Sequence, residues 1–362
     1  MSKQVYILII FLAWFWGNGQ DLTKSNIVFL KQRDLILENC KNFPNRTQIA
    51  FGIIDDGIVN YFGVELSNDS IFTTKNYSSV FEIGSVTKVF TTTLLADFTL
   101  DNKLNLEDKI NNYLDTKINN STEISFKQLA NHTSGLPRLP TNLDLRSVNP
   151  NNPYQDYNEQ QLKLYLTNEL KLSHIPGTHY EYSNLGVGLL GYVLSKMEST
   201  AYEDLLKTYI FSKYNMSHST TDQKKVEGLM VKGLDRSGNI TSNWDLGVLV
   251  AAGGMLSTTE DLSKFVVAQF DATNKELQLT RTKTFTINNI SDYGLAWEII
   301  KRRSGAIWYK HNGGTGGYTS SIIFEIAKRN GVIILSNVST YSNKSSEIND
   351  LSYELMKILN RN

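Results

Sequence analysis

One Ser-x-x-Lys occurs in the chain, at Ser85-Val86-Thr87-Lys88, just after the run Phe81-Glu82-Ile83-Gly84. The run is β-like and ends at a glycine, and the serine then opens an amphipathic stretch that predicts a helix over 87–100. Helical residues i and i+3 share a face, so the Lys88 amine is placed beside the Ser85 hydroxyl. A serine hydroxyl is a weak nucleophile until a neighbouring base or cation activates it. The tetrapeptide therefore points to an activated serine nucleophile at Ser85. By itself it is also a pattern that a surface helix produces by chance.

Two further segments supply groups of the same chemistry. Tyr180-Glu181-Tyr182-Ser183-Asn184 lies between a Pro176-Gly177 turn and a second helical stretch. His311-Asn312-Gly313-Gly314-Thr315-Gly316-Gly317 lies between two strand-like runs near the end. A second Tyr-x-Asn, Tyr341-Ser342-Asn343, follows the histidine segment and reads as a chance match.

With Ser85/Lys88, Tyr182/Asn184 and His311/Gly313 in this order, the chain resembles the serine β-lactamase and penicillin-binding superfamily. It is most similar to the class C branch with its esterase and D-peptidase relatives. The likeness extends through Leu129–Pro137, Trp244–Phe265 with its Ala252-Gly253-Gly254, and the terminal strands. It implies an α/β fold of the α+β kind: an antiparallel sheet flanked by helices, plus an inserted all-helical domain. It implies an acyl-enzyme on Ser85, with Lys88 keeping Ser85 and Tyr182 poised and its charge lowering the Tyr182 phenol pKa. Tyr182 is then the general base. Asn184 is expected to hold Lys88 and a substrate amide. The backbone N–H groups of Ser85 and Gly314 form the oxyanion hole, with His311, Gly313 and Thr315 on the substrate side.

The chain departs from that pattern at His311, where class C enzymes carry lysine, and at Thr87, where a small residue is usual. A histidine is cationic only below its ordinary pKa of about 6.5. If His311 binds a substrate carboxylate, activity should rise in mildly acid solution. The implied substrate is a β-lactam, a D-amino-acyl peptide or a small ester. A protein that binds penicillin or peptidoglycan without turnover is the non-enzymatic alternative.

The elements that must carry these residues are legible in outline. Gln48–Ile54 and Ile58–Leu66 around Asp55-Asp56-Gly57 predict a hairpin. Ser125 caps a short helix. Four of the six prolines (137, 140, 150, 153) mark an irregular loop expected to wall the site. Helical stripes follow at 162–170, 185–193 and 205–210. Strands are predicted over 296–301, 307–310, 320–326 and 332–335, and a last helix carries Ile348, Leu351, Leu355 and Leu359. The expected division is a split α/β domain, 20–90 with 240–362, around a helical domain, 91–239. Gly186-x-Gly188-x-x-Gly191 has no preceding strand, so it reads as a close-packing helix face and not a dinucleotide site.

The chain has 362 residues, 36 basic and 36 acidic. The zero balance gives no reason to expect nucleic acid as a partner. No cofactor or metal is expected, because the five histidines show no metal-ligand spacing. Residues 1–19 read as an export signal: a basic start, an apolar stretch from Val5 to Trp16, and small residues before a cut after Gly19. That stretch is shorter than the ~20 residues of a spanning helix. A periplasmic or secreted protein with no membrane span after signal removal is expected. Its single cysteine, Cys40, allows no internal disulfide.

Overall fold

Gln48–Asp55 (β1) and Ile58–Ser67 (β2) form the predicted hairpin, paired from Asp55↔Ile58 outward. Its turn is made by Asp56 and Gly57, with φ of 49° and 79°, the left-handed conformation that an Asp-Gly pair accepts at low cost. The computed structural model describes residues 24–119 and 122–360. The export-signal segment 1–19 lies outside the described residues.

The hairpin belongs to an antiparallel sheet of nine strands. β3 (Ser70–Thr73) extends one edge. β1 pairs on its other side with the last strand of the chain, β11 (Asn330–Ser336). The terminal strands follow in sequence: β6 (Phe285–Asn288), β7 (Ser291–Tyr293), β8 (Glu298–Lys301), β9 (Ile307–Gly314) and β10 (Thr319–Glu325). The spatial order is β3-β2-β1-β11-β10-β9-β8-β7-β6. A two-stranded sheet joins β4 (Val80–Glu82) to β5 (Leu256–Thr258).

Helices cover both faces, so the central strands are apolar on both sides and read as continuous runs. Ile49, Phe51 and Ile53 pack with Ile348, Leu351 and Leu355 of the last helix, and with Ile36 of the first. Ala50 and Ile54 point the other way, into the larger core. The helices are α1 (Lys24–Cys40), α2 (Thr87–Leu100), α3 (Phe126–Ala130), α4 (Glu159–Leu164), α5 (Asn184–Glu198), α6 (Tyr202–Leu206), α7 (Thr259–Ala268), α8 (Lys275–Arg281) and α9 (Ser345–Asn360). Each large aliphatic side chain buried in these layers contributes roughly 1.5–3 kcal/mol. Cys40 is a free, buried thiol.

α3 starts at the predicted cap: Ser125 Oγ accepts from Gln128 N–H, and the Gln128 side chain accepts from Ser125 N–H. α5 carries the glycine pattern as a packing face. A Cβ on Gly188 would stand 2.7 Å from Leu249 Cδ2, and the Ala251 side chain closes on Gly191 in the same way. Among the described residues no helix is long and apolar enough to cross a membrane.

Candidate active site

Ser85 is delivered by a short path. β4 ends at Glu82, Gly84 turns with φ of 51°, and a single 3-10 turn, Gly84–Val86, leads into α2. Only a glycine fits at 84, because a Cβ there would lie 2.5 Å from Gly314 N. The Thr87 hydroxyl accepts from Met255 N–H at 3.1 Å, tying the start of α2 to the chain entering β5. The departure at Thr87 thus has a structural use.

Lys88 is wholly buried. Its Nζ lies 3.1 Å from Ser85 Oγ and donates to Ala252 O at 2.5 Å. Asn184, expected to hold Lys88, does not, and its Oδ1 is buried without a partner. The shortest contact of the lysine is a carbonyl of the Ala252-Gly253-Gly254 turn, a segment that the sequence marked by its family likeness but to which it assigned no role. Burial drives the Lys88 pKa well below the ordinary lysine value, and the Arg138 charge adds to this. The positive end of α2 acts in the same direction.

Tyr182 sits across from Lys88, its ring centroid 4.9 Å from Nζ. The expected lowering of its pKa by Lys88 is not what the structure gives. Burial pushes the phenol above its ordinary value, and the Ser85 hydroxyl and the Arg138 charge pull it only partly back. Burial thus shifts both groups that face Ser85 toward their neutral forms, amine and phenol. Tyr182 is placed by the start of α5. The Ser183 hydroxyl donates to Pro137 O at 2.7 Å and accepts from Gly186 N–H at 2.9 Å. His132, buried and at φ 60°, packs its ring tilted against that of Tyr182, centroids 4.3 Å apart, and accepts from Ser183 N–H. It is a positioning residue that sequence reasoning missed.

His311 lies on β9, its ring centroid 6.4 Å from that of Tyr182. Its Nδ1 is 2.8 Å from Asn312 O and must donate to it, which leaves Nε2 as an acceptor. Burial, with the charge of Lys310 behind it, pushes the His311 pKa down to about 3. The expected protonation in mildly acid solution is therefore corrected: at that pH the imidazole is neutral.

Gly313 and Gly314 continue the strand β9, and Gly316 and Gly317 lie in the bend that follows. Gly313 pairs with Ser320 and Gly314 with Thr319. A Cβ on Gly313 would stand 2.8 Å from Ser85 N and collide with Ile83 O. Contact this close brings β9 and the Ser85 turn together. Gly313→Ala is expected to push them apart and lower kcat about 10²–10³-fold, the worth of one misplaced oxyanion donor. Steady-state kinetics beside a melting curve check this. Thr315 is buried in a recess of about 30 Å³ that adjoins Ser85, and it is absent from the wall of the main cleft. It faces Glu82, whose carboxyl burial pushes up to about 7 against the pull of Thr315, Trp244 N–H and Asn243. Its part is structural in this geometry.

The cleft above Ser85 has a volume of about 800 Å³. Tyr182, Asn184, His311 and Gly314 open onto it, and Arg138, Leu139 and Leu145 of the proline-rich loop form one wall. Tyr154, Trp244 and Tyr341 make an aromatic rim, with ring centroids 5.3 and 6.4 Å apart in that order. Tyr341, read from the sequence as part of a chance match, is on the wall of the site.

A serine open to a cleft with a buried lysine beside it at the head of a helix, a tyrosine opposite and a glycine-bearing strand of an antiparallel sheet alongside, is the arrangement of serine hydrolases of the β-lactamase type. The Beta-lactamase family model matches residues 41–353, and the chain belongs to that family. It is 25% identical over 259 residues to a β-lactamase of Pseudomonas fluorescens, covering 69% of each chain. It is 26% identical over 310 residues to β-lactamase-like protein 2 of Dictyostelium discoideum, covering 76% of this chain and 55% of that one. It is 25% identical over 278 residues to protein flp of Staphylococcus aureus, covering 72% of this chain and 53% of that one. The chain spans about half the length of the latter two relatives. The fold is shared with the β-lactamase/D-alanine carboxypeptidase of Pseudomonas syringae at TM-score 0.73 and 22% identity, over 92% of this chain and 98% of that one. It is shared with a class C β-lactamase at TM-score 0.75 and 22% identity, over 92% and 96%.

Proposed function

We propose that this protein is an exported serine hydrolase that cleaves a β-lactam or a related amide or ester bond through an acyl-enzyme on Ser85. The observation that carries the reading is the buried Lys88 amine 3.1 Å from Ser85 Oγ, held by Ala252 O. As a neutral amine it accepts the Ser85 proton while Oγ bonds to the substrate carbonyl carbon. The Ser85 and Gly314 N–H groups hold the oxyanion. Tyr182 protonates the leaving nitrogen or oxygen and regains its proton from Lys88. In deacylation a water attacks the ester, its proton passes to the same pair, and Oγ leaves with a proton returned. Asn184 borders the cleft, and His311 Nε2, left as an acceptor by the Nδ1 bond to Asn312 O, is suited to a substrate N–H.

Relatives named β-lactamase and β-lactamase/D-alanine carboxypeptidase support both substrate classes. D-amino-acid peptidase or small-ester esterase is the second reading, favoured by the neutral His311 in place of a fixed lysine cation. A penicillin- or peptidoglycan-binding protein without turnover is the third. Incubation with a chromogenic cephalosporin, a short-chain ester and a D-Ala-D-Ala peptide, followed by intact mass, separates the three. Turnover of one names the substrate, and a persistent adduct without turnover names the binder. Folded protein with neither contradicts the catalytic reading. The export signal at 1–19 is part of the proposal. So is the division into a split α/β domain and a helical one, supported by the absence of strands of the large sheet from 91–239 among the described residues.

The pH dependence follows from the shifts. Lys88 must be deprotonated, and its lowered pKa carries activity to lower pH than an ordinary lysine would. Activity falls as pH drops through that pKa. Tyr182 must be protonated, and its raised pKa moves the alkaline limb upward. His311, at about 3, adds no limb near neutrality. The shape of the kcat/KM profile over about pH 5–8 is therefore expected to be the same in wild type and His311→Asn. An acid limb that this substitution removes would contradict the assignment.

A further inference from the structure

Among the described residues Arg138 is the one guanidinium on the wall of the cleft, and no carboxylate of the protein pairs with it; its protein contact is the face of the Tyr182 ring. Its backbone is fixed: the Arg138 carbonyl accepts from Asn184 N–H at 3.0 Å and Leu185 N–H at 3.1 Å, at the start of α5. Its side chain is exposed to the cleft, Cζ 5.2 Å from the Tyr182 ring centroid. No ion pair or side-chain hydrogen bond engages it, whereas Arg146 bonds Asp144 and Arg281 bonds Gln269. The one carboxylate on the same wall, Glu298, accepts from Ser291 Oγ and is not within ion-pair distance of Arg138. A guanidinium anchored by its backbone, set over the Tyr182 ring and without a carboxylate partner on the cleft that holds the nucleophile is a receptor for a planar anion. It offers two parallel N–H donors that match a carboxylate.

The substrate side gives the same indication. The strand position where a lysine would supply a fixed cation holds His311, which stays neutral above about pH 3. Lys310 points instead to the ring of Tyr353, 4.5 Å from its centroid. Lys310 also borders the cleft but is buried, which leaves Arg138 as the exposed cation on its wall. We propose that Arg138 is the specificity-determining residue that selects substrates bearing a carboxylate, gripping it beside Ser85. The meaning of this assignment rests on the hydrolase reading, but its test does not require turnover.

The test is equilibrium binding to the Ser85→Ala protein, followed by titration calorimetry. The probes are N-phenylacetylglycine and its neutral amide, which share a phenyl group for the aromatic rim and differ in charge. Ser85→Ala is expected to bind the acid at least ~10-fold tighter than the amide, with the preference weakening as salt rises. Adding Arg138→Met is expected to weaken the acid about 10²-fold and erase the preference. Adding Arg138→Lys is expected to restore it only in part, because an ammonium lacks the paired donors. Equal weakening of acid and amide by Arg138→Met, an unchanged preference, or no binding of the acid to folded Ser85→Ala protein would each overturn the proposal. A failure of the hydrolase reading is seen separately, as absent turnover by wild type.

Discussion

Ser85→Ala is expected to lower kcat by about 10⁶-fold while leaving the melting temperature within a few degrees of wild type. The magnitude is that of deleting the nucleophile from a serine hydrolase whose groups act as a unit. Nothing near Ser85 replaces it: Lys88 is bound to Ala252 O, and the Tyr182 phenol is held in its neutral form by burial. The change removes one hydroxyl whose protein partner is the Lys88 amine. The fold does not depend on it, because the Ser85 turn is fixed by Gly84 against Gly314 and by the Thr87–Met255 bond. Rate and melting temperature measured on one preparation check both halves.

Lys88→Met is the second large effect, and its signature is a split between activity and stability. Loss of the proton acceptor is expected to lower acylation about 10²–10⁴-fold. Stability is expected to change little. A buried amine is costly, and an apolar side chain of similar length relieves that cost. Against this, Ala252 O loses its donor, a cost of about 1–3 kcal/mol. The terms oppose each other. A structural lysine would instead show a loss of stability matching the loss of activity. A single-turnover burst with a chromogenic ester, beside a thermal melt, distinguishes these outcomes.

Parts of this site were legible because their signals are local. The hairpin turn at Asp56-Gly57, the capped start of α3 and the apolar stripe of α9 each follow from short-range sterics or periodicity. α2 was legible from Thr87 to Leu100 for the same reason, and it carries Ser85 and Lys88 together at its head. The order of the Ser85, Tyr182 and His311 segments identified the family, and the fold followed from that.

What was not legible depends on proximity between segments far apart in the chain. The pairing of Val80–Glu82 with Leu256–Thr258 joins two three-residue strands with no periodicity of their own. Ala252 acts through a backbone carbonyl, which no side-chain pattern marks. His132 supports Tyr182 from a left-handed turn, and Arg138 was simply a residue of a proline-rich loop. Tyr341 was discounted because its motif was out of order, yet the turn after β11 brings it to the rim, 64% exposed. The directions in which burial shifts Lys88, Tyr182 and His311 were the largest correction. Burial decides them, and side-chain identity alone does not disclose burial.

The central claim is that Ser85 is an activated nucleophile, and labelling by an alkyl fluorophosphonate tests it most directly. The hydroxyl oxygen displaces fluoride and keeps the phosphonyl group, so the adduct does not depend on deacylation. Intact mass and peptide mapping of wild-type protein should show one phosphonyl group, on the peptide containing Ser85. Ser85→Ala should carry none, and Lys88→Met should label much more slowly. Folded wild-type protein that stays unlabelled, or a label that persists in Ser85→Ala, would contradict the account.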